Sequence, residues 1–209
     1  MRRARSDDAK DQRRDMLLSA ALDEFFEKGY SAARMEDVAG RANLSKGTVY
    51  LYFESKEALF RALIESRTAP NLDRIAQIAA AAPSISLMLD GLATFGPQMI
   101  RTSDIPRVMK VLIGDSHTFP ALIREYRTSV VERILGIMAD ALQRSADRGE
   151  IEIADAGLTA RLVMAPFAFS GLWQAVFGRD EDARVDLDAL FRLHADFLKS
   201  ALNLKDGSQ

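Results

Sequence analysis

Val38-Ala39-Gly40-Arg41-Ala42-Asn43-Leu44-Ser45-Lys46-Gly47-Thr48-Val49-Tyr50-Leu51-Tyr52-Phe53 carries two short apolar spacings separated by an interruption. Met35, Val38, Ala39 and Ala42 step along one face of a short helix. Asn43-Leu44-Ser45 breaks the run, and a further helix is expected from Lys46 to Phe53. Two short amphipathic helices joined by a tight turn form a helix-turn-helix, whose second helix lies in the DNA major groove. At about 100° per residue, Val49 and Phe53 face inward to pack with Leu44, Val38 and Phe25. Gly47, Thr48 and Leu51 then point outward, with Tyr50 and Tyr52 on the flanks.

Each outward residue type suits a nucleic-acid contact. Gly47 lets a backbone approach closely. Thr48 suits a base edge or a thymine methyl, and Leu51 suits an apolar contact to a methyl. Lys46 brings a positive charge to the front of the helix. The hydroxyls of Tyr50 and Tyr52 are in reach of phosphates. Lys56 falls in the first turn of the next helix, where free backbone N–H groups also attract an anion. Arg34, just ahead of the first of the two helices, is placed for the other phosphate wall. On periodicity alone, an ordinary helical subdomain with surface tyrosines fits the same pattern.

Working outward, Met16, Leu17, Ala20, Ala21, Phe25 and Phe26 recur at helical steps from Arg13 until Gly29, a residue suited to a helix C-terminus. Residues Met1 to about Gln12, polar and arginine-rich, read as a loose arm. Ser55 is a good N-cap for a helix from Lys56 to about Thr68, closed by Pro70 and Asn71. Further helices are expected at about Leu72–Ala81, Ser84–Arg101, Ile105–Ile113, Pro120–Arg148, Asp155–Phe177 and Asp186–Leu202. Strand signals are scarce. The fold class is therefore all-α, with residues 1–56 forming an arm and helix-turn-helix domain and residues 57–209 a second helical domain. Gly96-Pro97 and Pro166 sit inside convincing helical patterns, so each marks either a kink or a misplaced boundary.

Of the 209 residues, 48% are hydrophobic and 28% charged, which excludes a disordered chain and a mostly membrane-embedded one. The 28 basic and 30 acidic side chains leave a net charge of −2, against non-specific coating of nucleic acid. Zero cysteines exclude a disulfide scaffold, a thiolate metal site and a cysteine nucleophile. With two histidines, His117 and His194, an imidazole-rich metal centre is also excluded. The acidic run Asp180-Glu181-Asp182 with Asp186 and Asp188 lacks the glycine and closing glutamate of a calcium loop and reads as solvated. No phosphate-binding, dinucleotide, zinc-protease or nucleophile-elbow motif occurs. No enzyme, no cofactor and no metal is expected. No apolar run follows the N-terminal arginines, and Leu162–Phe177 is shorter than a bilayer span needs. The expectation is a cytoplasmic protein without a membrane partner.

The run from Val38 to Phe53, continued by Glu54-Ser55-Lys56-Glu57-Ala58-Leu59, closely resembles the signature of the TetR family of bacterial transcriptional regulators. Ala20-Ala21, Phe25-Phe26 and Gly29-Tyr30 match the same pattern. The resemblance covers roughly Met16 to Phe60, without a gap. It implies that Lys46, Gly47, Thr48, Tyr50, Tyr52 and Lys56 contact operator DNA. In one departure, Arg34-Met35 stands where the family usually carries threonine or serine, so Arg34 is expected to replace a hydroxyl–phosphate contact.

A single helix-turn-helix makes few contacts, so pairing on two half-sites is expected. Leu158, Leu162, Ala165, Phe169, Leu172 and Val176 step by four and three residues. A second apolar line runs through Val163, Met164, Phe167, Ala168 and Gly171. A helix apolar on two faces needs two partners. Leu187, Leu190, Phe191, His194, Phe197 and Leu198 extend the surface on the last helix. The reading is a four-helix homodimer interface, as the resemblance also implies, against a thick monomer core.

An effector pocket is expected among Phe95, Met99, Met109, Ile113, Phe119, Tyr126, Met164, Phe167 and Trp173, with Gln98 and His117 as polar anchors. Methionine suits adaptable sites, although the same residues at helical spacing also make an ordinary core. His117 reads as a solvated turn residue first and a ligand contact second. Together these features point to a repressor that binds a palindromic double-stranded DNA operator as a dimer and is released by an unidentified small, largely apolar effector. The competing reading is a helical small-molecule- or partner-binding dimer with a vestigial DNA-binding head.

Overall fold

Helices account for nearly all the regular structure, and no strand occurs among the described residues. The computed structural model describes residues 2–204, with side chains from residue 9 onward; Met1 and residues 205–209 lie outside the described residues. The order is α1 (Arg2–Lys28), α2 (Met35–Arg41), α3 (Lys46–Tyr52), α4 (Lys56–Ala81), α5 (Ile85–Thr102), α6 (Ile105–Gly114) and α7 (Pro120–Tyr126). A π-turn at Arg127–Val131 leads into α8 (Glu132–Asp147). Then come α9 (Ala156–Phe177), a short 3₁₀ turn at Glu181–Ala183 and α10 (Leu187–Ala201).

Three elements differ from the sequence expectations. The arm expected over Met1 to Gln12 is helical from Arg2 onward, because the run holds no proline or glycine and several good helix formers. Pro70 does not close α4, which continues to Ala81 and absorbs the separate helix expected at Leu72–Ala81. A proline inside a helix costs about 3 kcal/mol. Leu63 and Ile64 before it, and Leu72 and Ile75 after it, are all buried, and that burial offsets the cost. The single helix expected over Pro120–Arg148 is interrupted by the π-turn, where Thr128 and Ser129 hydroxyls donate back to the carbonyls of Arg124 and Glu125. Pro97 and Pro166 lie within α5 and α9, so neither marks a boundary.

The chain forms two units, Met1–Arg67 with Arg107–Ile123 and Thr68–Pro106 with Arg124–Gln209. In the first, Leu17, Leu22, Phe25, Val38, Val49, Leu59 and Phe60 are all buried. Glu24 is buried there as well, and a buried carboxylate needs partners. Arg41 at the end of α2 donates to it from Nε and a terminal nitrogen at 3.2 and 3.0 Å, and Lys28 lies 2.5 Å away. Arg41 also reaches Glu27 at 2.6 Å, which ties α2 to α1.

In the second unit, α10 packs along α5 and α8 along α9. Its core is built from Met88, Leu92, Met138, Leu142, Val163, Phe167 and Phe191. Gly96 is explained here: a Cβ at this position would overlap the Phe191 ring, so the glycine lets α10 lie against α5. Phe191 also meets Phe167 edge-on at 4.9 Å between centroids.

Candidate nucleic-acid interface

The α2–α3 turn is set by local chemistry. Asn43 adopts φ +54°, which asparagine tolerates better than most residues. The Leu44 amide donates to the Ala39 carbonyl at 2.9 Å and the Asn43 amide to the Gly40 carbonyl at 3.1 Å. This double closure is a Schellman end to α2. Ser45 then caps α3, its Oγ accepting from the Thr48 amide at 3.1 Å. The cap was not singled out from the sequence, although serine directly before a helical run is its ordinary signal.

Val49 and Phe53 are buried with Val38 and Phe25, as the helical phase requires. On the other side of α3, Leu51 is 85% exposed and Tyr50 45%. Gly47 has open space around it, with only Ser45 Oγ, at 3.8 Å, near a built Cβ. Thr48 is half-buried, and its hydroxyl is 2.8 Å from that of Ser45. Tyr52 is half-buried beside Phe53, and Arg34 is exposed at the N-cap of α2.

The basic residues are not equally available. The Lys46 ammonium is bonded to the Glu36 carboxylate and lies 5.8 Å from the centre of the Tyr50 ring. The pair holds Glu36 below the usual carboxylate range and raises Lys46. Lys56 turns inward. Its ammonium donates to the carbonyls of Tyr30, Ser31 and Ala33 at 2.7, 3.2 and 2.9 Å, and burial pushes it below the ordinary lysine value. A phosphate contact at Lys56 therefore competes with three bonds that hold the α1–α2 turn.

Asp115 grips the other side of that turn. It accepts from the Tyr30 amide at 2.8 Å, the Ser31 amide at 3.4 Å and the Ser31 hydroxyl at 2.6 Å. Burial pushes its carboxyl up, but these hydrogen bonds and nearby His117 outweigh it and hold Asp115 below the usual range. Nothing local in the sequence signals this role, since 85 residues separate Asp115 from Tyr30.

A model of bacterial regulatory proteins of the tetR family matches residues 17–63, and a model of the C-terminal domain of AefR-like transcriptional repressors matches residues 87–186. The HTH-type transcriptional regulator YfiR of Bacillus subtilis, itself uncharacterized, is 31% identical over 150 residues, covering 68% of this chain and 70% of the relative. The chain belongs to the TetR family. It is a DNA-binding transcriptional regulator. Two solved TetR-family structures share its fold. NalD, the secondary repressor of the MexAB-OprM multidrug efflux pump in Pseudomonas aeruginosa, aligns at a TM-score of 0.74 and 18% identity, covering 95% of this chain and 99% of that one. The SmeT–triclosan complex aligns at 0.75 and 22%, covering 94% and 93%.

The remaining expected sites of this TetR-family chain are placed as follows. The α9 residues Leu158, Leu162, Ala165, Phe169, Leu172 and Val176 are all exposed, while Val163, Phe167 and Gly171 are buried on the opposite side. The helix is 22 residues long and, by length and composition, apolar enough to cross a membrane, where Leu162–Phe177 alone had read as too short. On α10 the expected surface is corrected. Leu187, Phe191 and Leu198 are buried in the second unit's own core. Leu190 and His194 are half-buried, and Phe197 is 64% exposed. Leu193, not anticipated, is 56% exposed.

The expected pocket residues are divided between the two units. Met109, Ile113, His117 and Phe119 belong to the first unit, where Ile113 and His117 are exposed and Phe119 stacks edge-on against Tyr30 at 4.5 Å. Gln98 is on the surface of α5. Met99 is buried, Phe95 and Met164 pack against the core of the second unit, and Phe167 lines a gap of about 10 Å³. Tyr126 is half-buried, and burial pushes its hydroxyl above the ordinary value. Trp173 lines a cavity of about 160 Å³ in the second unit. Helical spacing marks an inward face but does not say which inward faces meet.

Proposed function

We propose that this regulator is a repressor that binds an inverted-repeat operator as a homodimer and is released by a small, largely apolar effector. The observation that carries the reading is the face of α3, where Leu51 and Tyr50 stand in solvent around an open Gly47 on a helix held by a buried Val49. An 85%-exposed leucine contributes little to the fold, whereas in a major groove it would meet thymine methyls. Lys46, Thr48, Tyr50 and Tyr52 would position that face on phosphates and base edges, with Arg34 on the opposite wall. Lys56 would act through the turn it holds.

Pairing is supported by the α9 stripe. Leu158, Leu162, Phe169 and Val176 are each more than half exposed on one helix face, the kind of apolar surface that marks an association site. Phe197 and Leu193 extend the exposed apolar surface on α10. The repressor and effector assignments are supported by the family model named for a repressor, by NalD, and by the triclosan bound to SmeT. Release needs only that the effector prefer a DNA-incompetent state; by linkage, DNA then weakens effector binding equally.

The test is selection of bound sequences from a random DNA pool with purified full-length protein at moderate salt. An enriched inverted repeat is expected. Failure of a folded, dimeric protein to enrich any sequence would overturn the reading in favour of a helical binding module.

A further inference from the structure

A free cation serves phosphate better than one that must first give up a carboxylate. In the first unit most cations are taken. Arg41 and Lys28 carry Glu24, Arg61 carries Glu57, Arg67 carries Asp15 and Arg107 carries Asp23. Lys46 is bonded to Glu36, and Lys56 donates to three carbonyls. Lys110 sits over Phe26 in the last turn of α1. By contrast, Lys10, Arg13 and Arg14 near the front of α1 carry no carboxylate among the described residues.

Their placement matters as much as their charge. Steps of three and four put Lys10, Arg13 and Arg14 on one side of the helix. Lys10 and Arg13 are exposed, and Arg14 is half-buried. The Arg14 guanidinium carbon lies 5.6 Å from the centre of the Phe53 ring, a cation–π contact. Phe53 is the buried residue that ends α3, directly after Tyr52. The contact therefore fixes an unpaired cation at the C-terminal end of the reading helix. A helix seated in a major groove is flanked by phosphate strands, so a cation held at its end is placed to meet one. We propose that this side of α1 is a phosphate-binding element, in which Lys10, Arg13 and Arg14 grip the DNA backbone beside α3 and supply affinity that is independent of sequence. The proposal rests on the DNA-binding reading and adds a contact element outside the α2–α3 pair.

The experiment measures binding of full-length protein to the selected operator and to a scrambled duplex of the same length, by fluorescence anisotropy, from about 50 to 300 mM KCl. Arg13→Gln combined with Arg14→Gln should flatten the slope of log affinity against log salt by about two per protomer and weaken both duplexes at least about tenfold. The preference for operator over scrambled DNA should hold within about threefold, because phosphate contacts carry no sequence information. Arg133→Gln combined with Arg144→Gln removes the same charge from two exposed α8 positions that carry no carboxylate among the described residues. That control should leave the slope within about 0.5 of wild type. Lys10→Gln combined with Arg13→Gln changes two exposed positions only, and repeats the test without disturbing the Phe53 contact; the same flattening per charge is expected.

An unchanged slope in both α1 variants, with the fold intact by circular dichroism, overturns the proposal. A loss no larger than in the α8 control also overturns it, since net charge alone would then account for the effect. So does a loss confined to the operator with an altered selected sequence, which would put α1 on base edges. The scrambled duplex keeps this proposal separate from the operator reading. Wild type that binds without sequence preference rejects that reading, while flattening on the scrambled duplex still supports α1 as a phosphate element. Wild type that selects an inverted repeat, with α1 variants that bind like it, rejects α1 alone.

Discussion

Lys56 holds Tyr30 twice: its ammonium nitrogen is 2.7 Å from the Tyr30 carbonyl oxygen and 4.5 Å from the centre of the Tyr30 ring. The first residue of α4 thus secures the turn that leads into α2. A lysine expected to seek phosphate from outside is used to hold the helix-turn-helix from inside.

Replacing Lys56 by methionine leaves the Tyr30, Ser31 and Ala33 carbonyls without this donor. The expected loss is about 1–3 kcal/mol of stability. Weaker operator binding follows through a less ordered head. Chemical denaturation and operator titration on the same sample check it; a methionine variant of normal stability with weak DNA binding would instead place Lys56 on phosphate.

Asp115 supplies a pH-dependent hold on the same turn. Its folded pKa is depressed, so its contribution is present above the unfolded value of about 4 and is lost as pH falls through the lower folded value. Wild type should therefore melt above Asp115→Asn near neutral pH, and the gap should begin to close below about pH 4 and vanish below the folded value. Thermal unfolding of both proteins across that range measures it. A gap that does not narrow as pH falls below about 4 would contradict the assignment.

Gly96→Ala should be among the most damaging small substitutions. The added methyl would overlap the Phe191 ring, and overpacking of this kind costs about 1–3 kcal/mol or more. Gly136, with nothing within 4 Å of a built Cβ, is the control: Ala there should be neutral or stabilising. Melting temperatures of the two variants decide it.

Leu162→Glu and Phe169→Glu place charge on exposed α9 positions. The protomer fold should be unchanged by circular dichroism. If α9 pairs as proposed, the dimer dissociation constant, by sedimentation equilibrium, should rise about a hundredfold through an unpaired charge buried at the proposed interface. Phe191→Glu should instead unfold the second unit, since that ring lies in the core.

Leu51→Ala should leave stability within about 0.5 kcal/mol, because an exposed side chain away from contacts contributes little. Its effect should appear in sequence preference, as about 1 kcal/mol lost at the base pair it reads. Repeating the DNA selection with the variant would show relaxation at one position of each half-site. An unchanged preference would take Leu51 off the base edges.

The helix-turn-helix was legible because its signals are local. The phase of Val38, Val49 and Phe53 fixes which faces turn inward, and Asn43 and Ser45 end one helix and start the next through their own hydrogen bonds. The bounds expected for α5 and α10 fall within a residue of those observed for the same reason. Pro70 was misread because proline's cost is local while the burial that offsets it is not. The π-turn at Arg127–Val131 had no sequence signature, since the residues around it continue an ordinary helical spacing.

The sequence by itself determined that this chain is a string of amphipathic helices with a DNA-reading pair near its start, because helix phase, caps and turn residues act over three or four positions. The tertiary structure alone decided how apolar and charged side chains were used. It took Leu187, Phe191 and Leu198 into the core, left Leu193 in solvent, turned Lys56 onto three carbonyls and brought Asp115 to Tyr30. Those outcomes depend on which helix faces meet across long sequence separations, and periodicity along one helix carries no information about its neighbour.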